Sequence, residues 1–304
     1  MSEIEDAADV LRAGGLVIFP TETVYGVGCD ATNAEAVARL YAAKGRPQFN
    51  PLIVHVPNFA TAEHEARLHP KARALAERFW PGPLSIVAPR RAESTVAELA
   101  CAGLTTIALR SPSHPLARAL MAAFGKPIAA PSANRSGRVS ATTAADAAAD
   151  LGAAVDSVLD AGPSPIGLES TIVSVDDNGA TTLLRVGAVT REQIEAVTGK
   201  LAQAGGSIEA PGMLASHYAP RARLRLDADA PRGGEGYLAF GAPAPTGGLA
   251  LSETGDLVEA AANLYAHLRA LDATGVEVIA VAPIPPHGLG EAIHDRLARA
   301  AAPR

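Results

Sequence analysis

Short apolar runs recur along the first two hundred positions, interleaved with stretches that carry the three-to-four-residue spacing of amphipathic helices. GLVIFP (15–20) reads as a strand, NAEAVARLYAAKG (33–45) as a helix with Asn33 at its N-cap, and PLIVHV (51–56) as a second strand. One helix is expected over roughly 61–79. PLSIVAP (83–89) and TTIALR (105–110) follow as strands, then a short helix near 115–124 and PIAAPSA (127–133), a strand running into a loop. VDSVLD, STIVSV and TTLLRV are further strands, and Thr143-Ala-Ala-Asp146 and Thr190-Arg-Glu-Gln193 each have capping-box spacing. Helix-linked strands mixed with adjacent strands predict an α/β domain on a mixed sheet.

The rhythm stops near 200–222. AQAGGSIEAPGMLASHYAPRA is rich in Gly, Ala and Pro and reads as a linker. Beyond it RLRLDA, GYLAFG and VEVIAVAP are strands around the helix DLVEAAANLYAHLRALDATG, and GLGEAIHDRLARAAA closes the chain as a last helix. The expected division is a first domain over 1–200, a linker over 201–222 and a smaller Rossmann-like α/β domain over 223–304.

Composition narrows the function classes. At 304 residues and 48% hydrophobic, the chain can bury two cores, but 4% aromatics means that Ala, Val, Leu and Ile must fill them. A net charge of −6 argues against a strong nucleic-acid binder, which also needs exposed rings for stacking. Cys29 and Cys101 make neither a disulfide framework nor a metal knuckle, so a reducing, cytoplasmic location is expected. The acidic, amphipathic N-terminus is unlike a secretory or transit peptide, and no apolar run approaches a membrane span. Gly26-Val-Gly28 lacks the third glycine of a dinucleotide fingerprint. His64 and His69 are one position too far apart for a helical zinc site, and no G-x-S-x-G occurs.

Four polar clusters remain, each at the edge of an expected strand, where α/β proteins bind ligands. PTETVYG (20–26) offers hydroxyls. KGRPQFNPL (44–52) carries Lys44, Arg46 and Asn50, with His55 in the strand that follows. Lys44, Gly45 and Pro47 are also what a helix end requires, and that role by itself is worth only about 0.3–1 kcal/mol, so substituting either cation is expected to leave stability nearly unchanged. APSANRSGRVSATT (130–143) is dense in small residues that let backbone amides approach an anion. GLESTIV (167–173) precedes LLRVG (183–187), and Arg110 ends the TTIALR strand with a guanidinium suited to a carboxylate or phosphate.

PTETVYG, K-x-R-P, ALRSPSHP, PSANRSG, GLESTIV and PGMLASHYAP, in that order, resemble the YrdC-type family of L-threonylcarbamoyladenylate synthases in its two-domain form. The resemblance spans about residues 10–220 by motif and the remainder by position and domain type. It implies a twisted open mixed sheet with a concave cleft, and an enzyme that joins L-threonine, bicarbonate or CO2, and ATP into threonylcarbamoyl-AMP and pyrophosphate. The product would pass to a transferase that modifies tRNA adenosine beside the anticodon. By the same resemblance Thr23, His55, Arg110 and Ser170 would surround threonine. Lys44, Arg46, Asn50, Thr106, Ala130, Ser132, Asn134, Ser140 and Arg185 would hold ATP, with Lys44, Arg46, Ser132 and Asn134 nearest the chemistry. Tyr218 in the linker would close over the nucleotide, Pro211 and Pro220 stiffening the segment as a lid. Mg²⁺ would be bound through phosphate oxygens, with no protein ligand. Ala141 and Val186 replace prolines common in the family. An RNA-binding module of the same fold and a carbamoyl transferase acting on another acceptor are the alternatives.

Overall fold

The computed structural model describes residues 2–202 and 217–303, so most of the expected linker, Pro211 included, lies outside the described residues. Its strands are β1 (Val17–Phe19), β2 (Gly26–Asp30), β3 (Ile53–His55), β4 (Leu84–Pro89), β5 (Thr106–Arg110), β6 (Ile128–Ala129), β7 (Ser157–Val158), β8 (Thr171–Val175) and β9 (Thr181–Arg185). They form one mixed sheet in the order β7-β1-β2-β6-β3-β5-β4-β8-β9. Helices α1 (Glu3–Arg12), α2 (Ala34–Lys44), α3 (Phe59–Glu65), α4 (Pro70–Phe79), α5 (Pro115–Phe124), α6 (Ala144–Leu151) and α7 (Arg191–Thr198) pack around it.

Alternation along the central strands sorts their side chains. Val54, Ile86, Leu109 and Val173 face a core shared with Leu40 of α2, Leu75 of α4 and Ile194 of α7. Ile53, Val87, Ala108, Ile172 and Leu184 form a small separate cluster on the opposite face, and Ile53 lines the cleft. That face is the floor of the cleft described below.

Three local expectations change. The helix foreseen over 61–79 is two helices, α3 and α4: Ala66 turns extended (φ −136°, ψ 154°) and bridges to Arg90, and Pro70 cannot donate to a continuing helix but suits the first turn of a new one. The Thr143 cap is one-sided: its hydroxyl accepts from the Asp146 N–H (3.1 Å), but Asp146 answers to that hydroxyl rather than to the backbone. Only Thr190 and Gln193 form the reciprocal box. Strand β2 is absent from the expected elements, since glycine has little strand preference; a Cβ on Gly28 would lie 2.7 Å from Ile128 and 2.8 Å from Phe19, so the close packing admits no side chain.

The remaining elements are β10 (Arg223–Arg225), β11 (Gly236–Phe240), β12 (Gly248–Ser252), α8 (Leu257–Ala273), β13 (Val278–Val281) and α9 (Leu289–Ala301). They build a parallel sheet in the order β10-β13-β11-β12. Strand β12, hidden in sequence behind APAPTGG, pairs in parallel with β11 although only residues 241–247 connect them. The two sheets share an apolar seam in which Val24, Val139 and Leu168 pack with Tyr218, Leu264, Leu268, Ile293 and Leu297. At Gly167 (φ +73°) the chain passes so close to α8 that a Cβ would lie 2.4 Å from the Ala261 carbonyl oxygen.

Candidate active site

Register places the first two charged groups. His55 at the end of β3 lies directly opposite Arg110 at the end of β5. Arg110 donates through one terminal nitrogen to Glu22 (2.6 Å) and through Nε to the Gly82 carbonyl (3.3 Å), all of them buried. Burial would raise the Glu22 carboxyl, but the charge and hydrogen bond of Arg110 outweigh it and hold the carboxyl below its usual range. Burial, and then the Arg110 charge, push His55 down to about 3, so its imidazole is neutral at pH 7. Its Nδ1 has no hydrogen-bond partner among the described residues, and the ring lines the cleft.

The PTETVYG turn forms the adjoining wall. The Thr21 hydroxyl donates to the Val24 carbonyl (2.6 Å), the Ile166 N–H donates to the Glu22 carbonyl, and the Ser164 hydroxyl donates to the Thr21 carbonyl. This bracing leaves Thr23 on the cleft wall beside Gly26. Ser170, just before β8, shares a hydrogen bond with Ser85 (2.8 Å) and receives Arg185: Arg185 Nε and a terminal nitrogen reach the Ser170 carbonyl at 3.1 and 2.9 Å. A Cβ on Gly187 would lie 2.5 to 2.7 Å from the backbone of residues 169–171, which is what lets these two strand ends converge.

The cation-bearing loop serves two ends. Gly45 closes α2 in the left-handed region (φ +59°), as the sequence requires. Arg46 then turns inward, donating to the carbonyls of Asn50 (3.2 Å) and Pro51 (2.9 Å), and lines the cleft; burial lowers it to about 10. Lys44 points elsewhere. Its ammonium donates to the backbone carbonyls of Ser132 and Asn134, so it ties down the PSANRSG loop from behind. Burial, with Arg46 adding to it, holds Lys44 well below the ordinary lysine range.

The cleft therefore brings together Thr23, His55, Arg110 and Ser170 with Arg46, Ala130, Ser132, Arg185 and Tyr218. Lys44, Asn50, Thr106, Asn134 and Ser140 do not line it. Asn134 bonds the Arg135 and Arg138 carbonyls (2.8 and 2.9 Å) and shapes the loop, while its Oδ1 has no partner among the described residues. The buried Asn50 amide is likewise without a described partner. Thr106 shares a face of β5 with Ala108 and Arg110, at the far end of the cleft floor. The Ser140 hydroxyl donates to Glu169 (2.5 Å).

Sequence reasoning missed Glu169 and His217. Glu169 lines the cleft and accepts from Ser140, from Tyr265 of α8 (2.8 Å) and from Arg296 of α9 (2.8 Å). Burial would raise its carboxyl, but Arg296, then Arg185 and Ser140, hold it at about 2. His217 packs edge-on to Tyr218 (4.1 Å between ring centroids), and burial lowers it to about 3. Tyr218 is fully buried in the left-handed region (φ +61°), stacked near Tyr265 and under the Arg296 guanidinium. No local signal marks Arg296 or Tyr265, which sit in ordinary amphipathic helices of the second domain.

Chemically, the cleft offers guanidinium groups, hydroxyls and a neutral imidazole. Among the described residues its lining holds one carboxylate, Glu169, which accepts three hydrogen bonds, so the lining suits anionic ligands. Among the described residues no group of three or more His, Cys, Asp or Glu is placed to hold a metal ion, and no helix is long and apolar enough to cross a membrane.

Comparison with known proteins gives two adjoining family matches. The family described as "Telomere recombination", which groups Sua5, YciO and YrdC proteins, matches residues 9–187, and the threonylcarbamoyl-AMP synthase C-terminal domain matches residues 189–302. The chain is 40% identical to a threonylcarbamoyl-AMP synthase of Bacillus subtilis, covering 99% of this chain and 94% of that one. It superposes on Pyrococcus abyssi Sua5 complexed with L-threonine with a TM-score of 0.91 at 36% identity, covering 99% and 95% of the two chains. Escherichia coli YciO, at 21% identity and a TM-score of 0.52 over 60% of this chain and 88% of that one, shares the fold alone.

Proposed function

The chain belongs to the Sua5–YciO–YrdC family and carries that family's threonylcarbamoyl-AMP synthase C-terminal domain; from this premise we propose that it makes threonylcarbamoyl-AMP and pyrophosphate from L-threonine, bicarbonate or CO2, and ATP. The observation that carries the reading is one cleft lined by three guanidinium groups, Arg110 in register beside neutral His55, with Arg46 and Arg185.

The amine of threonine loses a proton and bonds to the carbon of CO2, giving a carbamate. A carbamate oxygen then attacks the α-phosphorus of ATP, the bond from that phosphorus to the bridging oxygen breaks, and pyrophosphate leaves with the electron pair. Both reactants are anions, so the protein contributes alignment and charge neutralisation. Arg110 would take the threonine carboxylate, with Thr23, His55 and Ser170 around the rest of the molecule. Arg46, Arg185, Ser132 and the backbone at Ala130 would hold the nucleotide, and Tyr218 would pack against it. Lys44, Asn50, Asn134 and Ser140 support those groups from behind, with Thr106 at the end of the floor. Mg²⁺ would accompany ATP on its phosphate oxygens, neutralising part of their charge.

Residues 1–200 would act as the catalytic unit and 223–304 as the smaller partner domain, in a reducing, cytoplasmic setting. The product, a mixed anhydride, would pass to a transferase acting on tRNA. Pyrophosphate release measured with each substrate omitted in turn tests the reading, with mass spectrometry of the adduct. Release that requires threonine and bicarbonate together supports it, and release indifferent to threonine refutes it.

A further inference from the structure

Glu169 stands where the two domains meet the cleft. Its carboxylate is 5% exposed as a residue and takes three hydrogen bonds, one from the first domain and two from the second. Arg296, itself buried, does more than pair with it. A terminal nitrogen of Arg296 donates to the Val186 carbonyl (2.9 Å), next to Arg185, and its guanidinium lies 5.0 Å from the centre of the Tyr218 ring. Tyr265 bonds Glu169 on one side and stacks near Tyr218 on the other. Ser140 through Glu169, the backbone beside Arg185, and the Tyr218 ring therefore all meet two side chains that the first domain does not contain.

We propose that Arg296 and Tyr265 are positioning residues for the nucleotide subsite, acting from the second domain through Glu169. Their geometry sets where Ser140, the backbone at 185–186 and the Tyr218 ring stand before ATP arrives, so the second domain completes the wall of the active site. The inference rests on the adenylate-forming reading above.

The alternative is mere domain adhesion, and the molecule contains an internal control. Arg191 of α7 and Glu291 of α9 also tie the domains (2.5 Å), but neither lines the cleft. Among the described residues Ser140 and Tyr265 bond Glu169, and Arg185, Tyr218 and His217 interact with it electrostatically, so Arg185 remains a cation acting on it when Arg296 is replaced. Without Arg296, burial is opposed less, and the Glu169 carboxyl moves upward from its native range, against the remaining pull of Arg185 and Ser140.

The experiment uses the full chain with Arg296→Met, Arg296→Lys, Tyr265→Phe and Glu291→Gln, reading KM for ATP and threonine from pH 5.5 to 8.5 and ATP affinity by calorimetry. Arg296→Met is expected to raise the ATP KM at least tenfold, more at acid pH, and the threonine KM less than threefold. Arg296→Lys should recover part of the loss, Tyr265→Phe should raise the ATP KM several-fold, and Glu291→Gln should match the unsubstituted chain. A folded Arg296→Met chain with unchanged ATP KM, or with equal, pH-independent losses for both substrates, overturns the proposal. If Arg296→Met does not fold, Tyr265→Phe decides, and an unaltered ATP KM there overturns it. Should the unsubstituted chain release no pyrophosphate, the functional reading fails separately, and calorimetric ATP affinity still tests the positioning.

Discussion

Arg110→Lys isolates what a planar fork does in this cleft. Arg110 already spends Nε on the Gly82 carbonyl and one terminal nitrogen on Glu22, so its remaining N–H groups are those open to a ligand carboxylate. A lysine keeps a charge beside Glu22 but cannot also span Gly82 and a second carboxylate. Leaving the Gly82 carbonyl without its donor costs about 1–3 kcal/mol of stability, a fall in Tm on the order of 2–5 °C for a chain of this size. Losing one charge-assisted hydrogen bond to threonine costs roughly 1.5–3 kcal/mol, which at 1.4 kcal/mol per tenfold is roughly a 10- to 150-fold rise in threonine KM. The ATP KM should stay within about twofold, because Arg46 and Arg185 are untouched. Pyrophosphate release against threonine at saturating ATP and bicarbonate, and against ATP at saturating threonine and bicarbonate, measures the two KM values. A folded variant with unchanged threonine KM, or with equal loss for both substrates, refutes the carboxylate grip.

Other outcomes follow from the same geometry. Lys44→Met should destabilise by about 2–4 kcal/mol in denaturant unfolding, since two buried carbonyls lose their donor; this replaces the near-neutral effect expected of helix punctuation, and a neutral result would show that water substitutes for the ammonium. His55 and His217 bind a proton when unfolded below about 6.5 but stay neutral when folded down to about 3, so stability is lost as pH falls through that window. At pH 5 the loss is about 2 kcal/mol for each, and urea unfolding that is equally stable at pH 7.5 and pH 5 would contradict it. Glu169 adds a further loss between 4.5 and about 2, where the unfolded carboxyl takes up a proton and the folded one does not. A chain ending at Lys200 should bind ATP weakly by calorimetry and self-associate in sedimentation, because Val24, Val139 and Leu168 lose their cover and Glu169 loses Arg296 and Tyr265; full ATP affinity in a monomeric truncation would show the second domain to be dispensable.

The alternation of apolar positions determined the class of fold, most of its strands and the helix caps at Asn33 and Thr190, because those signals act between residues a few positions apart. Of the residues that the resemblance named, the fold gathers Thr23, His55, Arg46, Arg110, Ala130, Ser132, Ser170, Arg185 and Tyr218 in one cleft, and leaves Lys44, Asn50, Thr106, Asn134 and Ser140 off its lining. Glycine-bearing β2 and β12 escaped notice, since there pairing partners and close packing, not propensity, make the strand. Tertiary structure alone decided direction: that Lys44 turns to the loop carbonyls while Arg46, two residues on, turns to the cleft, and that Glu22 clamps Arg110 from a distant turn. It alone joined Glu169 to Arg296 and Tyr265 across the domain boundary. Such pairings are chosen by which buried charges must neutralise one another once the chain has closed, and a buried charge takes whatever partner the packing leaves within reach, however far away in sequence.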